Sequence, residues 1–113
     1  MLIKSLLIIS FLSLSNAPTE NYNEPFIGIW FESRSGEAIQ VFRGENEDIL
    51  FERFLDNVLV ASGQIYAGEL EITVNRSDID SKYKLEYSFS TDKQVLSVMK
   101  PNSTEAWLLY KIR

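Results

Sequence analysis

The chain is 113 residues long, 45% of them hydrophobic, with a formal net charge of -5 at pH 7. That length holds one domain with a small core, and that apolar content excludes a disordered chain. Cysteine and histidine are absent, which removes disulfides, thiolate nucleophiles, Cys/His zinc sites and the usual acid–base group of neutral pH. No run of three basic residues occurs, so no phosphate-binding surface is expected and nucleic acid is not an expected partner.

Residues 1–17 read as a secretory signal peptide. Met1-Leu-Ile-Lys4 supplies a short positive region, Leu6 to Leu14 an apolar run relieved by serines, and Ser13-Leu-Ser-Asn-Ala17 a small-residue end. The run falls short of the roughly 20 apolar residues that cross a bilayer, so no stable membrane span is expected once it is removed. Ser15-Asn-Ala17 fits a cleavage site, but Pro18 would follow the cut and hinder it, so cleavage after Ser15 competes. No cysteine follows, so this is not a lipoprotein signal. A cysteine-free exported chain suits a bacterial periplasm or secretion better than a disulfide scaffold. Sequons at Asn75 and Asn102 carry little weight, since about one such match arises by chance among seven asparagines.

Residues 18–25, "PTENYNEP", are polar, have Pro at both ends and no periodicity, and are expected to form a flexible tail. From Phe26 the period is two. The first strand, "FIGIWFES" over 26–33, is apolar on both faces. Further strands follow over 37–43, 48–54, 58–66, 69–74, 82–90, 94–100 and 105–112. The clearest is Lys82 to Ser90, where Tyr83, Leu85, Tyr87 and Phe89 alternate with Lys, Glu and Ser. Arg34-Ser-Gly36, Gly44-Glu-Asn46, Asp56-Asn57, Ala67-Gly68, Ser77 to Asp80, Thr91-Asp-Lys93 and Pro101-Asn-Ser103 supply turn chemistry between them. The reading is an all-β antiparallel up-and-down meander of about eight short strands over residues 26–113. Closing it into a barrel pairs both edges and encloses the apolar face, which makes closure the economical arrangement; a two-sheet sandwich is the alternative.

Gly28-Ile-Trp30, at the start of the first strand and just after a polar tail, resembles the Gly-x-Trp of the lipocalin and wider calycin barrels. Gly36-Glu-Ala-Ile-Gln-Val-Phe42 is similar to the second strand of small bacterial lipocalin-like domains, and Gly63-Gln-Ile-Tyr66 with Gly68-Glu-Leu-Glu-Ile72 to their mid-barrel hairpin. The resemblance implies that a basic residue at the end of the last strand packs across the tryptophan. Lys111 and Arg113 are the positions that match, and the expected closing set is Gly28, Trp30 and Arg113. If Trp107 and Leu109 point inward, so do Lys111 and Arg113, giving a cation–π contact of ~0.5 to 2 kcal/mol; the opposite phase would leave both basic residues solvated.

The resemblance implies a small apolar ligand inside the barrel. The candidate interior residues are Trp30, Phe42, Tyr66, Tyr83, Tyr87, Phe89 and Trp107, with Tyr hydroxyls orienting any polar group. Strands of six to seven residues at a tilt near 40° make a barrel about 16 to 18 Å tall, shallow enough for those aromatics to fill it themselves. A second reading is a protein partner: small periplasmic metalloprotease inhibitors resemble the chain in size and barrel and act through an N-terminal segment, for which residues 18–25 are the counterpart, although they carry a disulfide. Catalysis is not expected. Gly-x-Ser-x-Gly, a His base and phosphate loops are missing. Glu45-Asn-Glu-Asp48 departs from the twelve-residue calcium loop, Asp78, Asp80 and Asp92 sit in turns, and Glu69 and Glu71 form the wet face of a strand. No catalytic residue, metal or cofactor is expected.

Overall fold

The computed structural model describes residues 21–113, so the expected signal peptide and the first residues of the polar tail lie outside the described residues. A single turn of 3-10 helix (Glu24–Phe26) leads into eight strands: β1 (Gly28–Glu32), β2 (Glu37–Arg43), β3 (Ile49–Leu55), β4 (Val58–Ala67), β5 (Glu71–Arg76), β6 (Ser81–Phe89), β7 (Val95–Met99) and β8 (Ala106–Lys111). They form one closed barrel in sequence order, every neighbouring pair antiparallel, with β1 against β8. The barrel, not the sandwich, is the outcome. Closure gives each strand two partners and leaves the period-two alternation to sort side chains into an interior and an outer surface.

The strand phases place Trp30, Val41, Phe51, Ile65, Val74, Leu85, Leu96 and Leu109 inside, all of them buried. The up-and-down path assigns the connections alternately to two ends. The turns at 33–36, 56–57, 77–80 and 100–105 gather at one end, and those at 44–48, 68–70 and 90–94 at the other, together with the 3-10 turn and the C-terminus. Asp56 and Asn57 both have positive φ, 51° and 66°, the two-residue hairpin geometry whose twist matches that of the strands it joins.

Two departures from strict alternation shape the ends. A register shift between Arg53 and Phe54 leaves Val60 as an extra residue in β4, with Arg53 opposite Ala61 and Phe54 opposite Leu59. A bulge of this kind reverses the facing of residues beyond it. Leu59 therefore moves to the outer face, and Leu55 and Val58 turn toward the end of the barrel. The other departure concerns Phe26, read from the sequence as the first residue of β1. Pro25 opens the 3-10 turn, for which its fixed φ is pre-organised, and Phe26 closes that turn by folding into the barrel end. Phe26 is fully buried.

The described part of the polar tail is held against the barrel, where the sequence led us to expect a free segment. The Ala67 backbone N–H donates to the Asn23 side-chain oxygen at 3.2 Å, and Glu24 pairs with Arg43. Among the described residues no helix is long and apolar enough to cross a membrane.

Candidate functional site

The closed end explains the Gly-x-Trp. Trp30 is 1% exposed, and its indole N–H donates to the Phe26 carbonyl at 2.8 Å, so the one polar atom of the ring is satisfied where water is excluded. Phe26 stands edge-on to Tyr87 and Phe89, both at 4.9 Å between ring centres. Trp30 lies 6.1 Å from Phe89. The Tyr87 hydroxyl donates to the Gly68 carbonyl, and burial raises its pKa. These rings make the floor of the interior.

The cation on Trp30 is Lys111 and not Arg113. Its ammonium stands 5.7 Å from the indole ring centre. The register decides this: Trp30 is directly opposite Lys111, whereas Arg113 lies two residues beyond, level with Gly28. There the Arg113 carbonyl accepts the Ile29 N–H at 2.9 Å, so Arg113 closes the barrel through its backbone. Gly28 is required at that crossing. A Cβ there would lie 2.5 Å from the Arg113 carbonyl oxygen, and its φ of +145° is one that side chains rarely adopt.

Above this floor the interior is open. A cavity of about 860 Å³ runs to the opposite end. Ile39, Val41, Phe51, Ile72, Val74 and Val98 are among the side chains that line its wall, with Phe26 and Trp30 at the bottom. The aromatics therefore do not fill the barrel, for a reason the alternation makes plain. Wall positions are mostly taken by aliphatic residues too short to meet across the middle, while the aromatics other than Phe51 stand at the floor, at the mouth or outside.

Of the seven candidate interior residues, Trp30, Tyr83 and Trp107 line the cavity. Tyr87 and Phe89 point inward but support the floor from beside Phe26. Phe42 and Tyr66 do not face the interior. Val41 and Ile65 are the inward neighbours in β2 and β4, which turns Phe42 outward opposite Leu50 and Tyr66 outward opposite Thr73. Tyr66 is 49% exposed, in a shallow outer groove beside Glu69 and Glu71.

The mouth is polar in a particular way. Glu32, at the end of β1, accepts the Ser35 backbone N–H at 2.8 Å and that of Arg34 at 3.2 Å. Hydrogen bonding from Ser35, then from the Arg34 backbone, with the Arg34 guanidinium nearby, outweighs burial and lowers its pKa. Directly beside Glu32 in the β1–β2 ladder, Glu37 takes Arg53 in a two-point pair at 2.7 and 3.1 Å, which raises the arginine pKa and fixes both side chains in the wall. Tyr83, Lys100 and Trp107 complete the lining. No hydrogen bond or ion pair to another described residue occupies the Tyr83 hydroxyl, the Lys100 ammonium or the Trp107 indole N–H.

The mouth also extends down one side. β6 pairs with β5 from Ser81 onward, but with β7 only over Glu86–Phe89, so Ser81 to Leu85 have no β7 partner and Lys84 and Leu85 border the cavity. The Glu37–Arg53 pair and this slit were missed in the sequence. The pair had a signal: Arg53 shares the phase of Ile49 and Phe51, which places a charge at the end of an apolar face. The slit depends on how far each ladder runs, and periodicity carries no information about that.

Comparison of the chain with protein-family models, with curated proteins and with solved structures returned no match.

Proposed function

We propose that the protein is an exported, non-enzymatic, lipocalin-like carrier whose barrel holds one small molecule with an apolar body and a hydrogen-bond-accepting head. The observation that carries this reading is the cavity itself, about 860 Å³, within the roughly 300–1,000 Å³ of small-molecule sites, aliphatic along its wall and provided with a few polar groups at one end. The head-group chemistry follows from what is unsatisfied. Glu32 and Arg53 already have partners, whereas Tyr83, Lys100 and Trp107 present donors facing the mouth. A carboxylate or carbonyl suits three such donors, and an ammonium head does not. The Gly-x-Trp with a cation over its indole supports the calycin-like reading, and the N-terminal signal pattern supports export to the periplasm or beyond.

Two measurements test this. Native mass spectrometry of protein purified gently from its own host should show a stoichiometric adduct in the small-molecule range. A dansylated fatty acid should bind with a blue-shifted emission and be displaced by unlabelled fatty acid. A clean unliganded mass together with no dansyl binding would refute the carrier reading. The inhibitor reading draws no support from the geometry, because Asn23 and Glu24 of its inhibitory segment are engaged with the barrel.

A further inference from the structure

Apart from Tyr66, Leu70 and Ile112 toward the floor end, the exposed apolar side chains on this barrel gather in two places. One is the outer face of the β1–β8 seam, where nothing in the structure indicates a partner. The other is the mouth, where their placement is informative. Val58 is 61% exposed, Leu59 50% and Ile79 51%, and all three sit on the tips of hairpins that surround the opening. A tip formed by Asp56-Asn57 would ordinarily be flanked by polar residues; here Leu55, Val58, Leu59 and Val60 flank it, all exposed. The neighbouring tip at 77–80 packs beside it: the Ser62 N–H donates to Asp78 at 3.2 Å, and Arg76 reaches the Val60 carbonyl at 3.4 Å. Ile79 is thereby held next to the β3–β4 tip, so the two hairpins present one apolar edge.

Charge separates the two ends. At the floor end Glu24, Glu45, Glu47, Asp48, Glu69 and Asp92 outnumber Arg43, Lys93, Lys111 and Arg113. At the mouth Arg76 is paired with Asp78, Arg53 with Glu37, and Arg34 with both Glu32 and Glu105, while Asp56 and Asp80 are offset by Lys82, Lys84 and Lys100, none of which is in an ion pair among the described residues, so the mouth is close to neutral. An anionic surface therefore repels the floor end more strongly than the mouth, which orients the molecule before contact.

We propose that the mouth docks on the surface of a lipid bilayer with anionic headgroups. Val58, Leu59 and Ile79 enter the interfacial layer, and Lys82 and Lys100 reach the headgroup phosphates. So placed, the cavity opens onto lipid instead of water, and a sparingly soluble molecule passes between bilayer and barrel without crossing solvent. The docking goes beyond the carrier reading and does not depend on it.

The test uses the full chain and vesicles of phosphatidylglycerol and brominated phosphatidylcholine in equal parts. The protein has two tryptophans: Trp107 at the mouth and Trp30 sealed at the floor. Bromine should quench Trp107, and the Trp107→Phe variant, which retains Trp30, should lose that quenching. The double variant Val58→Asp/Leu59→Asp, and independently Ile79→Asp on the other tip, should need about tenfold more lipid for the same quenching, while Leu108→Asp on the outer seam face should behave as the parent. All four sites are exposed, and an unchanged circular dichroism spectrum confirms that each variant is folded. Absence of Trp107 quenching in the parent would overturn the proposal. So would quenching that survives the tip substitutions, which places the attachment elsewhere in the chain, the apolar run before residue 15 included. Equal loss in Leu108→Asp would also overturn it. Dansyl fatty acid binding measured without vesicles reads the carrier function separately, so failure of either idea is seen by itself.

Discussion

Lys111 and Trp30 are cross-strand partners at the seam that closes the barrel, and the ammonium stands 5.7 Å from the indole ring centre. The last strand thus fastens to the first through a side-chain contact as well as through backbone hydrogen bonds. Lys111→Ala should destabilise by about 1 kcal/mol and shift the emission of Trp30. Arg113→Ala should do neither, because Arg113 joins the seam through its carbonyl. Denaturant unfolding followed by tryptophan fluorescence separates the two; equal effects would mean that the cation–π contact contributes nothing distinctive.

Gly63 lies opposite Arg76 in the β4–β5 ladder. A Cβ there would sit 2.1 Å from the Asn75 carbonyl oxygen and 2.8 Å from the Arg76 Cα, and both are backbone atoms that move only with the strand. Gly63→Ala should cost about 1–3 kcal/mol or more by forcing the ladder apart. Gly68→Ala, whose nearest neighbour would be the Glu71 oxygen at 3.4 Å, should lie within about 1 kcal/mol of the parent. Thermal melts of the two variants check this, and similar melting points would refute it.

Glu32 makes stability depend on acid. Its folded pKa lies below the ordinary 4.5, so the folded state binds fewer protons than the unfolded one. The stability it contributes is complete above about 4.5 and is lost as pH falls through the folded value. Glu32→Gln should cost on the order of 1 kcal/mol at neutral pH, since it weakens the acceptor for the Arg34 and Ser35 N–H groups. The gap between parent and variant should close below pH 4.5. Unfolding free energies across that range test the sign; a gap that widened in acid would contradict it.

If the mouth donors orient a ligand head, Tyr83→Phe and Lys100→Met should each weaken dansyl fatty acid binding about three- to tenfold, the effect of losing one hydrogen bond or charge-assisted contact. Stability should change by less than about 1 kcal/mol, because neither group makes a hydrogen bond or ion pair with another described residue in the free protein. Titration paired with a thermal melt gives both readouts, and undiminished binding in both variants would remove these residues from the head-group site.

Most of the fold was legible. All eight strands fall within about two residues of their sequence-based bounds, because alternation and turn chemistry are local properties that antiparallel pairing preserves. The Gly-x-Trp pointed to the seam where the last strand meets the first, although Lys111 and not Arg113 stands over the indole. Phase was legible only where one face is dry and the other wet: Lys82 to Ser90 sorted itself, whereas Phe42 and Tyr66 were misplaced because aromatic size was weighed above the parity of Val41 and Ile65. The choice of Lys111 over Arg113 needed the cross-strand register, which no local pattern encodes. The cavity was beyond reach for a similar reason, since whether opposing Ile, Val and Leu side chains meet depends on barrel diameter.

The short ladder between β6 and β7 has a kinetic consequence. Amide protons of Ser81 to Leu85 that point toward β7 have no acceptor there, so deuterium should replace them well before the amides of β3, which are flanked along the strand by β2 and β4. The wall then has one compliant stave, able to swing without breaking the hoop of hydrogen bonds nearer the floor. A bulky molecule would meet least resistance there.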